Sequence, residues 1–194
     1  MPKTLVQMKK YLLLLLTLTV ATTSSAQVNF NLGAGAGLFI AENEELYGDL
    51  KVDLYPEINA YFDIHGLRFG LSTGFIYRKT TITIRRGSFT SSESSTLSFL
   101  PVHAEVGLLP MDFANPGSVI SPYIKTGFGL FIPTGDNSNS YLSLLVKAGA
   151  EARLDILSFY ADISYLYAAD DDFSDTVNWG GFVFAGGMRL RIGG

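Results

Sequence analysis

The chain has no cysteine. That excludes disulfides and thiol chemistry, and it excludes a lipid anchor on a processed N-terminal cysteine. Basic clusters are missing too. The formal net charge is -4, which argues against a nucleic-acid partner. Only two histidines occur. "GAGAGL" at 33–38 lacks the spacing and the following helix of a dinucleotide fingerprint. After residue 26, no apolar run is long enough for a membrane helix, which needs about 20 residues.

What is present begins with a leader. "MKKYLLLLLTLTVATTSSA" has Lys9 and Lys10, an apolar core from Tyr11 to Val20, and small residues Ser24 and Ala26 at cleavage positions. Residues 1–26 are expected to be a secretory signal peptide. The core is too short to act as an anchor. The leader carries Lys3, Lys9 and Lys10 and no acid, so the formal -4 of the whole chain becomes -7 for residues 27–194. That length suits one domain.

The mature chain is built from alternating runs. In "DLKVDLYPEINAYFDI", residues 49–64, every even place from Leu50 to Ile64 is apolar except for Pro56, and the odd places hold Lys51, Asp53, Tyr55, Glu57, Asn59, Tyr61 and Asp63. Period two means a strand with two unlike faces. Eight such runs are predicted: 27–40, 50–64, 66–82, 96–109, 119–132, 141–155, 157–169 and 177–192. Their connections alternate between short ("HG", "PMDFANPGS", "DILS") and long and polar ("AENEELYGD", "RRGSFTSSESS", "PTGDNSNS", "ADDDFSDT"). This is the rhythm of an antiparallel up-and-down transmembrane β-barrel, with long loops outside and short turns in the periplasm.

Parity indicates which face is inside. The apolar parity carries one charge, Lys79. The other parity carries the acids Asp53, Glu57, Asp63, Glu105, Glu151, Asp155 and Asp162, and the bases Lys51, Arg68, Arg78, Lys125, Lys147, Arg153, Arg189 and Arg191. Near-balanced charges converging in a narrow lumen can pair, whereas a single buried charge is costly. The expected lumen network is Asp53, Glu57, Arg68, Arg78, Glu105, Lys125, Lys147, Glu151, Arg153, Asp162, Arg189 and Arg191. Glycines 33, 35, 37, 70, 74, 107, 127, 129, 149 and 187 share the inward parity and make room for these side chains. An eight-stranded barrel is just wide enough for side chains to fill. Pro56 and Pro101 interrupt strands, where proline is found at edges and bulges. Tyr77, Tyr165 and Tyr167 fall near one rim, and Phe30, Phe62, Phe69 and Phe159 near the other, as interfacial belts would.

The motifs "SFLPVHAEVGL", "SPYIKTGFGLFI", "VKAGAEARL", "FYADISYLYA" and "GGMRLRI" together resemble those of the PorT-like outer membrane β-barrel family. The resemblance covers nearly all of residues 27–194. It implies an outer membrane location and an eight-stranded barrel. It also implies dependence on the barrel-insertion machinery and, through a family member linked to protein secretion, a surface or secretion-system protein partner. The chain ends Leu190-Arg191-Ile192-Gly193-Gly194 and lacks the terminal aromatic residue that many such barrels carry.

Chemical candidates are few. His65 reads as a turn residue. His103 shares the inward face with Glu105, as a base and its orienting carboxylate would, but Ser98 has the opposite parity and no nucleophile follows from spacing. The lumen reading as a hydrogen-bond network is preferred. Asp170, Asp171, Asp172 and Asp175 form a candidate loop cation site, although they lack the glycine and closing glutamate of a calcium loop; solvated loop charge is the preferred reading. Arg85 and Arg86 are suited to lipopolysaccharide phosphates. No cofactor is called for. The expected function is a non-enzymatic envelope protein, structural or surface-binding through its outer loops. A narrow porin-like channel, a lipid-modifying barrel enzyme and a soluble lipocalin-like barrel are the alternatives.

Overall fold

The computed structural model describes residues 28–42, 52–86, 89–115, 118–134, 140–169 and 178–193, without the side chains of 78–97 and 169. The expected signal peptide, Lys51 and the aspartates 170, 171, 172 and 175 lie outside the described residues.

The strands are β1 (Val28–Ala41), β2 (Val52–Ile64), β3 (Leu67–Gly74), β4 (Ile76–Arg86), β5 (Phe89–Leu108), β6 (Ile120–Pro133), β7 (Tyr141–Leu154), β8 (Leu157–Ala169) and β9 (Gly181–Ile192), with one short helix, α1 (Pro110–Ala114), between β5 and β6. Every neighbouring pair is antiparallel, and β1 pairs with both β2 and β9. The sheet is therefore closed. β3 and β4 are two halves of one strand, since both pair with β5. The result is an eight-stranded up-and-down barrel, which leaves no sheet edge in its wall.

The stagger of the barrel can be read from its register. The path Asn31, Tyr61, Gly70, Glu105, Gly127, Leu145, Leu166, Gly181 runs once round the wall and returns to β1 at Ala41, ten residues further on. Stagger of this kind tilts the strands and sets the barrel's girth.

The short connections are tight. His65 and Gly66 both have positive φ, 46° and 77°, as a two-residue primed hairpin turn requires. Asp155 also sits in the left-handed region, at φ 53°, a conformation that aspartate tolerates better than most residues. Asp155, expected to point inward, is instead an exposed turn residue: the strand ends at Leu154, so parity no longer applies to it.

Three strand limits differ from the sequence reading. The fourth strand begins at Phe89, not 96, because it pairs with β4 as far as Arg86↔Phe89. The last begins at Gly181, not 177. Asn178 Oδ1 there accepts from the backbone N–H groups of Ala168 and Gly180, which turns the chain before the ladder starts. The third strand, read as one run over 66–82, breaks at Phe75.

Both strand prolines explain that break. Pro101 stands opposite Gly74 in the register that pairs Thr73 with Val102 and Ile76 with Phe99. Leu109 N donates to Gly66 O in the same register. Alternate residues of β5, Pro101 included, therefore point their amides at β3. On the other side, Phe75 N donates to Pro56 O at 3.1 Å, and Pro56 returns no N–H. The Gly74–Phe75 dipeptide thus loses a donor from each neighbour.

The burial pattern is inverted relative to a soluble barrel. Outward residues such as Leu54, Ile58, Leu71, Ile124, Phe128, Leu142 and Met188 are all more than 50 % exposed, while Glu57, Arg68, Glu105, Lys125, Lys147, Glu151 and Arg189 are buried.

Candidate functional site: the filled lumen

Three levels of side chains fill the lumen. At the end that carries the short turns, Glu151 is the hub. It accepts from Arg68 Nη1 at 2.9 Å, Arg189 Nη1 at 2.9 Å and Arg153 Nε at 2.7 Å. Arg68 also grips Asp63 through Nε at 2.7 Å and Nη2 at 2.7 Å, the bidentate fork that suits guanidinium to carboxylate. Arg153 reaches down to Asp112 of α1 at 2.6 Å. Asp112 also accepts from Ser121 Oγ. Leu109 N bonds Gly66 O at 2.7 Å, and the Phe113 ring rests on Gly66. The helix thus lies beneath the β3–β5–β6–β7 side of this end.

The middle level mixes lysines, acids and tyrosines. Lys147 Nζ lies 2.9 Å from Glu57 and 3.9 Å from Glu105. Lys125 Nζ is 3.0 Å from Glu105 and 2.7 Å from the Tyr61 hydroxyl. Tyr61 and Ser72 donate to the same carboxylate. Tyr123 donates to Asp162 at 2.7 Å. Arg189 Nε donates to Asn59, and its guanidinium lies 3.8 Å from the centre of the Tyr160 ring, a cation–π contact. Two glycines seat these long side chains. A Cβ at Gly33 would fall 2.6 Å from Arg189 Cγ, and one at Gly107 would strike Lys125 Cγ.

The third level, toward the long loops, is apolar. Phe39, Tyr55, Ile76, Phe99, Phe131, Leu145, Leu166 and Val183 form one buried cluster. Trp179 packs over it, stacked on Tyr141 with ring centres 5.7 Å apart and tilted against Phe99 at 5.6 Å. Charge pattern alone did not reveal this layer. A signal exists, however: inward residues near the long-loop ends of several strands, such as Phe39, Tyr55, Phe99, Phe131 and Leu166, are large and apolar. Burying such a side chain stabilises by about 1.5–3 kcal/mol.

The expected network residues separate as follows. Glu57, Arg68, Glu105, Lys125, Lys147, Glu151, Arg153 and Arg189 join ion pairs, and Asp162 joins through Tyr123. Asp53 sits half-buried on β2 beyond Tyr55. Arg191 is half-buried and makes no ion pair among the described residues, and its Nε has no hydrogen-bond partner. The side chain of Arg78, like those of Arg85 and Arg86, lies outside the described set. Sequence reading missed Asp112, which no strand parity could flag, and the tyrosines 61, 123 and 160.

His103 Nε2 is 2.8 Å from Ser143 Oγ, a partner on a distant strand that spacing could not supply. The pair lies buried under the apolar layer. Among the described residues, no group of three histidines or acids is placed to hold a metal ion.

At the long-loop rim, Glu42 accepts from the Tyr165 hydroxyl and from Asn178 Nδ2, which ties the start of the first loop to β8. Tyr77 is 54 % exposed at this rim, while Phe62, Phe69 and Phe159 are exposed near the other.

No family model and no curated protein sequence matches the chain. Solved structures do. Neisserial surface protein A superposes with a TM-score of 0.62 at 16% identity, over 84% of this chain and 97% of that one. The outer membrane protein OprG of Pseudomonas aeruginosa gives 0.61 at 10% identity, over 87% and 96%. The N-terminal β-barrel domain of OprF from the same organism gives 0.53 at 12%, over 87% and 100%. At these identities the likeness is one of fold: this chain has the architecture of small outer membrane β-barrels.

Proposed function

We propose that residues 27–194 span the outer membrane as a closed, non-enzymatic barrel whose work is done at its outer loops, in surface contact or in support of the envelope. The short turns and α1 then face the periplasm and the long loops face outward. The observation that carries this reading is the filling of the lumen at three successive levels, two of paired charges and one of aromatic and aliphatic side chains. A solute would have to displace both kinds. The outward apolar belt supports the membrane setting, since lipid solvates apolar surface and tolerates no unpaired backbone. Outer membrane lipid, lipopolysaccharide and the barrel-insertion machinery are the partners this implies. The motif resemblance to PorT-like barrels adds a surface or secretion-system protein.

The test is conductance in a planar bilayer of residues 27–194 refolded in detergent. Silence from demonstrably inserted protein is expected. Discrete current steps would replace this reading by the narrow-channel one. Shortening the β4–β5 hairpin in register, by replacing residues 81–94 with a tight turn, and deleting residues 170–177 should abolish surface adhesion while the barrel stays folded; unchanged adhesion would move the function away from these segments.

A further inference from the structure

β4 and β5 leave the barrel wall together. β5 pairs with β6 as far as Phe99↔Pro133, and one further bond runs from Thr134 N to Ser98 O. From Tyr77↔Ser98 to Arg86↔Phe89, β4 and β5 form a ladder with each other and with no other strand among the described residues. The register is continuous, without a bulge. Phe89–Ser98 thus forms one side of a two-stranded ribbon that stands about 30 Å beyond the wall, at about 3.3 Å per residue. The Thr134–Ser98 bond fixes which backbone groups face outward from it. Even residues of β5 turn toward the β6 side, so Thr90, Ser92, Ser94 and Thr96 turn both N–H and C=O away from β4. The seven residues between Pro133 and Tyr141 must climb and return, so they reach at most about three positions past Ser98. Thr90, Ser92 and Ser94 lie beyond that reach.

Open strand edges are ordinarily blunted by lysine and other charges, by proline or by a bulge. β4 follows that rule, with Arg78, Lys79, Arg85 and Arg86 along it. β5 does not. Its segment "FTSSESSTLS" has no lysine, arginine or proline, and its single charge is Glu93. The two edges of one hairpin are therefore unlike: β4 repels an added strand and β5 leaves a place for one. Charge selects the occupant. Four bases against Glu93 give residues 76–98 a net +3, while the rest of residues 27–194 sums to -10. A second copy of the hairpin would bring +3 against +3 and is repelled. We propose that the free edge of β5, from Thr90 to Ser94, takes up an extended acidic segment of a surface protein as an added antiparallel strand. Main-chain bonds to Thr90, Ser92 and Ser94 supply the affinity, and the bases of β4 supply the preference for acid. This rests on the reading of the outer segments as the working surface of the barrel.

The experiment is fluorescence anisotropy of a labelled peptide of alternating glutamate and valine, titrated with residues 27–194 refolded in detergent. The same peptide with lysine for glutamate is the comparison. Saturable binding of the glutamate peptide is expected, weakening with salt, with the lysine peptide at least tenfold weaker. Ser92→Pro removes one amide from the open edge and leaves the β4 ladder alone, since proline is tolerated on the outer side of an edge strand. It should weaken binding by about tenfold, whereas Ser92→Ala, which keeps the amide, should not. Heat-shifted gel mobility verifies that both variants fold. Absence of saturable binding would overturn the proposal. Equal binding to Ser92→Pro would overturn strand addition and leave a polyanion, such as lipopolysaccharide phosphate, as the occupant of the basic hairpin. Equal binding of the lysine peptide would overturn the acidic partner. Cell adhesion separates this proposal from the reading beneath it. Adhesion that survives Ser92→Pro but is lost on shortening the hairpin would overturn the edge and keep the working surface, while current steps in a planar bilayer would overturn that reading itself.

Discussion

Glu57 and Lys147 are ninety residues apart in sequence and meet at 2.9 Å inside the barrel. Neither side chain is more than 2 % exposed. Breaking such a pair from one side strands a charge away from water. Lys147→Met alone should cost about 3–5 kcal/mol. The double variant Glu57→Gln, Lys147→Met should recover much of that loss. Urea unfolding in lipid vesicles measures both. If the double variant is no better than the single, the lysine acts through packing and not through charge.

Glu151 serves three arginines at once. Glu151→Gln keeps the shape and removes the charge, which leaves Arg68, Arg153 and Arg189 to repel one another. The expected loss lies at or above the top of the Lys147→Met range, about 5 kcal/mol. Arg153→Gln, by contrast, leaves Glu151 with two partners and should cost less. The order of the two urea midpoints decides this.

Pro101→Val restores the amide that Gly74 lacks. The ladder should then run unbroken from β3 into β4, with stability raised by about 0.5–1.5 kcal/mol. Hydrogen exchange reports it directly, as protection of the new amide at position 101 together with slowed exchange at Phe75. Fast exchange at position 101 would mean that the break has a cause other than proline.

His103→Ala separates the structural reading of the His103–Ser143 pair from an enzymatic one. The lipid A mass spectrum of cells expressing the variant should match that of cells expressing the wild type. Stability should fall by about 1 kcal/mol, the value of one hydrogen bond. A changed lipid A profile would make this barrel a lipid-modifying enzyme.

The barrel was legible because its two solvents are so unlike. Lipid tolerates no charge, so Leu54, Ile58 and Leu71 on one parity and Glu57, Asn59 and Arg68 on the other mark the faces without reference to contacts. Direction was therefore readable, but distance was not. Arg68 and Glu151 lie on strands that no local pattern relates, so their pairing required the register. Asp112 escaped because it sits on a helix outside the strands, and Arg191 was placed in the network although it finds no ion-pair partner there among the described residues. The break at Phe75 was hidden for a different reason. Its two causes, Pro56 and Pro101, are in neighbouring strands and not in the strand that breaks.

The pairing of β1 with β9 joins Phe30 to Ile192 and Ile40 to Phe182. It is the contact of longest sequence separation in the barrel, and it cannot form until the last strand has been delivered. Until then Glu57, Lys147 and Glu151 have no sealed interior, and an open, half-built sheet would show them to hydrocarbon. Assembly must therefore hold the polar face against water or a helper protein up to the final zipping step. Long-range pairing of this kind also folds slowly. The seam, more than any single ion pair, sets the moment at which this chain can be released into the bilayer.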